Sequence, residues 1–227
     1  RVTAHLIELS DQYHSHAPLL PNVKMRWSAD QAAIIYSVWL YDQNNNTSLS
    51  DSIRDNWLGY MDSHMRDPAT QLFMTEAMLV KRYSRQPRGC ALAYLIYYTS
   101  HFAPDVAYEQ WRLFKQNMLI RRSGVTGFRE YLPRYKGGWT PDSGPIVFGI
   151  GIGASGLALK TAASLGDTEV YDSLNRIANP AMNVLRGLTY VPLLNRLARL
   201  GADLLASSIK FCAESAFQFG QTKCQEA

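Results

Sequence analysis

Four long apolar stretches with helical periodicity open near Ser28, Arg88, Asp142 and Tyr190, and they constrain the fold more than any other feature of the chain. Each leads through a short polar loop into a more amphipathic helical stretch. The spacing is roughly 50 to 60 residues, longer than in common helical solenoids. A helix that is apolar all round must be buried on most sides, whereas an amphipathic one covers a core with a single stripe. Consecutive helical hairpins around a common centre meet both demands, with apolar helices inside and amphipathic ones outside. The expected fold class is therefore all-α: an (α/α) toroid of helical hairpins, with residues 1–227 as one domain. Four hairpins and a leading half from Val2 to Tyr13 fall short of a closed ring. Either the ring is open or the chain is a fragment of a longer protein.

Local signals place the elements. Ser28-Ala-Asp-Gln31 has the form of a capping box, in which Ser28 accepts from the backbone and Gln31 reaches back. The helix it opens should run to about Tyr41 and stop in the polar turn Asp42–Asn46. Ser50 to Met65 carries Ile53, Trp57 and Met61 at intervals of four, a second helix. Leu72 to Arg82 reads as a short helix or a hairpin-like excursion. Pro87-Arg-Gly89 starts a helix to about Phe102, and Asp105 caps another that ends near Arg122. Phe128 to Trp139 is a loop. Thr140-Pro141, with Thr at the N-cap and Pro at the first helical position, predicts a helix to Gly166. Asp167 caps the next, over Thr168 to about Ala178, and Tyr190 to about Ser215 is amphipathic.

Gly151-x-Gly153-x-x-Gly156 matches a dinucleotide fingerprint, which requires a preceding strand and a βαβ context. A helix start at Thr140-Pro141, the lack of a later strand-rich run and the lack of βαβ alternation argue against it. Gly149, Gly153 and Gly156 instead share one face of the expected helix. A glycine there costs about 1 kcal/mol relative to alanine, which close packing must offset.

Composition narrows the function classes. The net charge is +4, and Lys and Arg are scattered in short pairs such as Arg121-Arg122, so no basic stripe for nucleic acid is present. The longest uncharged run, Ser143 to Leu159, is shorter than the roughly 20 residues of a membrane span. Cys90, Cys212 and Cys224 have no metal spacing. Three unpaired thiols are the plain expectation, although Cys212 and Cys224 could pair. No metal or cofactor is expected. His14 and His16 are read as exposed at a helix end. The chain opens on Arg1, as a processed product or a fragment would; cysteine usage leaves the compartment open between cytoplasm and periplasm, and an upstream leader or anchor could have been removed.

The residues with chemical potential gather where apolar helices begin: Trp27 and Asp30 at the first, Arg88 at the second, Arg129, Glu130, Tyr131 and Asp142 before the third. If the inner helices run parallel, these starts share one face of the ring, where helix N-termini add partial positive charge. Carboxylates flanked by guanidinium groups and aromatic planes suit sugars, one carboxyl serving as general acid and another as base or nucleophile. Each residue also has a plainer explanation. Asp30 and Asp142 could only stabilise helix dipoles, Arg88 could pair with either of them, Glu130 could be solvated in its loop, and Trp27 and Tyr131 could be rim or core residues.

The series Trp-Ser-Ala-Asp-Gln at 27–31, Pro-Arg-Gly at 87–89, Gly-Phe-Arg-Glu-Tyr at 127–131 and Asp-Ser-Gly-Pro at 142–145 resembles motifs of uncharacterised bacterial proteins of the (α/α) toroid class. Their usual first motif is Trp-Pro-Ala-Asp-Asn, from which Ser28 and Gln31 depart. The resemblance spans about Pro21 to Asp167. The wider class includes glycoside hydrolases, polysaccharide lyases and, more distantly, a linalool dehydratase-isomerase, so the resemblance implies a pocket near these motifs.

The expected function is a carbohydrate-active enzyme, hydrolase- or lyase-like, with Asp30, Glu130 and Asp142 as acid/base candidates and Trp27, Arg88, Arg129 and Tyr131 contacting a small-molecule or glycan ligand. The alternatives are a non-catalytic glycan-binding or assembly module, and a dehydratase or isomerase of a small alcohol. Nucleic-acid partners and a membrane span are not expected.

Overall fold

The computed structural model describes residues 4–8, 25–78, 86–122, 124–135, 137–138, 140 and 143–177. They fall into two compact units. The first takes the chain up to Met118 together with Tyr131–Gly137, and the second takes Leu119–Glu130 and the chain from Gly138 onward. The protein is mainly helical, but short antiparallel two-stranded ladders join the helices, so the all-α expectation needs correction.

In the first unit, β1 (Met25–Trp27) pairs with β2 (Glu76–Met78), and Trp27 lies opposite Glu76. Within the stretch Leu72–Arg82 this ladder makes Glu76–Met78 extended rather than helical, and residues 79–82 lie outside the described residues. Helix α1 (Ser28–Asn45) follows β1 directly, and α2 (Leu49–His64) returns against it. Helix α3 (Gly89–Phe102) then packs on α1, and α4 (Pro104–Met118), joined through Ala103 alone, folds back on α3. Short connections of this kind make antiparallel neighbours. Pro104 occupies the first helical position, where its missing N–H costs nothing.

The two inner helices run in the same direction. Thr75 O accepts from Ser28 N at 3.1 Å, while Thr75 N donates to Gln86 O at 3.2 Å, so one segment anchors both helix starts. Two turns further on, Tyr36 of α1 meets Tyr98 and His101 of α3. The unit therefore consists of two helical hairpins with parallel inner helices. Ile53, Trp57 and Met61 are fully buried, as their spacing predicts. Each such side chain contributes about 1.5–3 kcal/mol by leaving water.

Two local readings are overturned. The Ser28–Gln31 capping box does not form: the N-cap is Trp27, with no side-chain cap bond. Ser28 Oγ instead donates to Met74 O at 3.0 Å, and Gln31 Oε1 accepts from Trp57 Nε1 at 2.9 Å. Both side chains are buried, so they tie α1 sideways to its neighbours. Nor is Asp42 part of a terminal polar turn. Helix α1 continues to Asn45 and closes on Asn46 in the left-handed conformation, φ 52°. Asp42 is buried and caps α2 from a distance, accepting from Thr47 Oγ1, Leu49 N, Ser50 N and Ser50 Oγ.

In the second unit, β3 (Leu119–Arg122) pairs with β4 (Val125–Phe128), so the helix expected to reach Arg122 ends at Met118. Gly124, φ 78°, lets the chain reverse between them. The helix expected over Thr140–Gly166 begins only at Ile152. Before it, Gly144 (φ 63°) N and Ser143 N both donate to Thr140 O, closing a turn. Then β5 (Ile146–Val147) pairs with β6 (Ile150–Gly151) across Phe148 and Gly149, both at positive φ. Pro145 explains the error, because it would have sat inside the expected helix, where proline breaks the hydrogen-bond ladder. β-Branched residues flanking two left-handed positions form a hairpin instead.

Helix α5 (Ile152–Ser164) packs against β4, with Ala154, Ala158 and Ala162 fully buried at intervals of four. Gly149 lies outside this helix, so the three-glycine face does not exist. A strand does precede α5, yet it is two residues long and antiparallel, and every ladder among the described residues is antiparallel, unlike a βαβ unit. Asp167 Oδ1 accepts from Val170 N at 3.2 Å and caps a helix over 168–177, as expected. The proposed helix at 190–215, His14, His16, Cys212 and Cys224 lie outside the described residues.

Candidate functional site

The first unit gathers Trp27, Asp30, Glu76, Arg88 and Tyr131 around the shared start of α1 and α3. The β1–β2 register sets Trp27 opposite Glu76. Arg88, immediately before α3, donates from Nη1 to Glu76 Oε1 at 3.0 Å, and the pair is largely enclosed. Its Nη2 donates to the buried thiol of Cys90 at 3.8 Å. Glu76 is thus a partner of Arg88 that the helix-start motifs do not suggest. A backbone bridge joins Arg88 to Tyr131, and the guanidinium carbon lies 5.8 Å from the Tyr131 ring centroid. Tyr131 is not an open wall. Cβ placed on Gly137 would fall 2.2–2.4 Å from its ring atoms, so the Gly137 backbone lies hard against the ring.

Asp30 differs from the other candidates. It is exposed in the first turn of α1. The protein around it nevertheless withdraws enough water to hold its carboxyl above the ordinary carboxylate range. Desolvation with no compensating partner among the described residues marks a group poised to keep a proton, and such groups concentrate at functional sites. Trp27, half-buried, supplies the extended N-cap residue that leads into this turn.

Beyond these residues lies an aromatic tract that the sequence reading passed over. Tyr36 and Trp39 on α1 stack at 5.9 Å. Tyr36 meets His101 at 4.5 Å and Tyr98 at 5.5 Å; Tyr98 meets Tyr94 at 4.7 Å and Tyr97 at 5.1 Å. All six rings are half-buried. Burial, then the hydrogen bond from Tyr98 Oη to Tyr94 Oη and the neighbouring phenols, pushes the Tyr98 hydroxyl well above its usual pKa. The tract was legible in principle: Tyr94, Tyr98 and His101 follow a helical i, i+4, i+7 pattern, but Tyr and His count as neither clearly apolar nor clearly polar in a periodicity reading.

Arg129 and Glu130 belong to the second unit. Arg129 forms a backbone bridge with Ile150. Its Nη1 lies 3.4 Å from where a Gly149 Cβ would stand. Glu130 is fully buried rather than solvated in a loop, and a Gly151 Cβ would approach its own Cβ to 3.0 Å. Gly151 of the supposed fingerprint is therefore needed for close packing against Glu130. Asp142 lies outside the described residues. Among the described residues no group of three His, Cys, Asp or Glu side chains could hold a metal ion, and no helix is long and apolar enough to cross a membrane.

The described residues form a mainly helical protein whose first unit contains two helical hairpins, with Trp27, Asp30 and Arg88 at the starts of α1 and α3. Comparison of the chain with protein-family profiles and with curated proteins finds no match.

Proposed function

We propose that the chain belongs to an (α/α) toroid that binds and acts on a carbohydrate or similar polyol, at the end where α1 and α3 begin. The half-buried tract of four tyrosines, Trp39 and His101 carries this reading. Ring faces stack on the C–H faces of a sugar, while hydroxyl, indole and imidazole edges meet its hydroxyls. Two hairpins with parallel inner helices are the repeat a toroid is made of, and they support the larger architecture.

In this proposal Asp30 is the general acid, because a desolvated yet accessible carboxyl keeps its proton closer to neutral pH. Trp27 and Tyr131 border the ligand, and Arg88 orients its hydroxyl or anionic groups. Turnover of a glycoside also needs a second carboxylate as base or nucleophile. A small apolar alcohol, the substrate of a dehydratase or isomerase, calls for an apolar lining that phenols and an imidazole do not supply.

A second reading, a non-catalytic glycan-binding module, is favoured by one observation: of Asp30 and Glu130, only Asp30 is accessible. Assay of the protein against a panel of oligosaccharides for release of new reducing ends separates the two. The expected result is turnover that Asp30→Asn abolishes without loss of binding. Undiminished turnover in Asp30→Asn would remove the catalytic role of Asp30. Binding without any turnover by the unaltered protein supports the module, and no binding to any glycan sinks both readings.

A further inference from the structure

Residues Tyr131–Gly137 belong to the first unit, although the chain on either side of them belongs to the second. This short strap is fixed at two places. At its start, Tyr131 bridges Arg88 and lies under its guanidinium. Three and four residues later, Arg134 and Tyr135 converge on Asp67, a carboxylate that is 1% exposed. Tyr135 Oη donates to Asp67 Oδ1 at 2.7 Å; Arg134 Nη2 and Thr70 N donate to Oδ2, Thr70 N at 2.9 Å, as does the Thr70 hydroxyl. Arg134 also lies 5.0 Å above the Tyr135 ring. Between the anchors, Tyr135 N donates to Leu132 O and closes a turn over the buried Leu132.

Both anchors are carried by one loop. Asp67 N donates to Leu72 O, and Met74 N to Met65 O. Two residues later Glu76 holds Arg88. The geometry is a closed circuit: Asp67, through the 67–76 loop, to Glu76, Arg88 and Tyr131, then back through the strap to Asp67. Gly137 completes it by lying against the Tyr131 ring, where any side chain would collide. The Arg88 guanidinium is thereby shared among Glu76, Cys90 and the Tyr131 ring, and its face toward Tyr131 is covered.

We propose that the strap is a latched cover over Arg88, that Asp67 is its latch, and that Asp67 acts as a positioning residue by setting whether Tyr131 lies across the guanidinium. The use of Arg88 for a hydroxyl-bearing or anionic sugar rests on the function proposed above; the latch does not. Asp67, Thr70, Arg134 and Tyr135 lie outside all the motifs that mark the site in sequence. Opening breaks the Asp67 contacts together with the Arg88–Tyr131 bridge, and of these the charge-assisted hydrogen bonds to Asp67 shift such a local equilibrium most when removed.

The test uses the full chain and the arginine reagent phenylglyoxal, with modification at Arg88 followed by peptide mass spectrometry and Arg54 on α2 as the internal standard. In Arg134→Ala, modification of Arg88 should quicken about tenfold while the rate at Arg54 stays unchanged, with Tm lowered by no more than the roughly 3–6 °C that a tenfold shift implies. Tyr135→Phe, which keeps the ring and loses one donor, should give a smaller increase of the same kind. An unchanged Arg88 rate in both variants overturns the latch. So does an increase that Arg54 shares in step with a falling Tm, which would mean general loosening. Because the reagent reports on Arg88 without any glycan, a latch that holds while no glycan binds would fault the proposed function alone.

Discussion

Asp42→Ala offers the sharpest test of how the first hairpin is built. Asp42 is 3% exposed and accepts four hydrogen bonds, one from Thr47 and three from the start of α2, two of these from the buried Ser50 at 2.6 and 2.7 Å. Loss of a helix cap costs about 1 kcal/mol. Leaving the Ser50 donors buried without an acceptor adds about 1–3 kcal/mol. The expected destabilisation is about 3 kcal/mol, or on the order of 6–12 °C in Tm for a chain of this size. Ser48, which occupies the N-cap position without any side-chain cap bond, is the control. Ser48→Ala should stay within about 0.5 kcal/mol. Urea and thermal unfolding followed by circular dichroism measure both. Equal losses in the two variants, or a loss below about 1 kcal/mol in Asp42→Ala, would refute the argument that Asp42 caps α2 across the turn.

The same carboxylates set the acid response. For Asp42 and Asp67, burial pushes the pKa up, but hydrogen bonds from Ser50 and Thr47 in one case, and Thr70, Tyr135 and Arg134 in the other, leave it below the ordinary value. A depressed folded-state pKa gives stability that is complete above the unfolded value of about 3.9 and is lost as pH falls through the folded one. Tm should therefore hold from neutral pH to about 5 and fall below about 4, less steeply in Asp67→Asn; an equal slope would count against the Asp67 network. Asp30 has the opposite sign. Its raised folded-state pKa means that stability is lost as pH rises through that value, so Asp30→Asn should raise Tm at neutral pH and leave it unchanged below about pH 3.9. A fall in Tm at neutral pH would support the purely dipolar role. At the β5–β6 turn, Phe148 is 99% exposed with φ 51°, so Phe148→Asn relieves left-handed strain without losing packing and should stabilise by about 1 kcal/mol. Destabilisation in the same unfolding assay would contradict that.

Much of the first unit is legible in the sequence because it rests on periodicity. Ile53, Trp57 and Met61 mark the buried stripe of α2, and Pro87-Arg-Gly89 marks the start of α3. What periodicity misses are contacts made across the chain. Ser28 and Gln31 have the residue types of a local capping box, yet their partners, Met74 and Trp57, are brought in by tertiary packing. Asp42 looks like one residue of a polar turn, and only its burial reveals a cap. The error at Thr140–Gly166 has a different origin. A good helix start at Thr140-Pro141 outweighed Pro145, although an interior proline is the stronger signal. Of the candidate site, Trp27, Asp30 and Arg88 stand out in the sequence through their place at helix starts. Glu76 and the strap anchors Asp67, Arg134 and Tyr135 carry no local motif, and the aromatic tract emerges only when α1 and α3 lie side by side.

The central claim is that the parallel starts of α1 and α3, with the aromatic tract beyond them, form a glycan site. Hydrogen–deuterium exchange of the full chain with and without a saturating neutral oligosaccharide tests it directly. The claim predicts slowed exchange confined, among the described residues, to peptides covering Trp27–Trp39, Arg88–His101 and Tyr131, and loss of that protection in a Tyr36→Ala, Tyr98→Ala variant that remains folded. Protection elsewhere, or protection that survives removal of both rings, would contradict it.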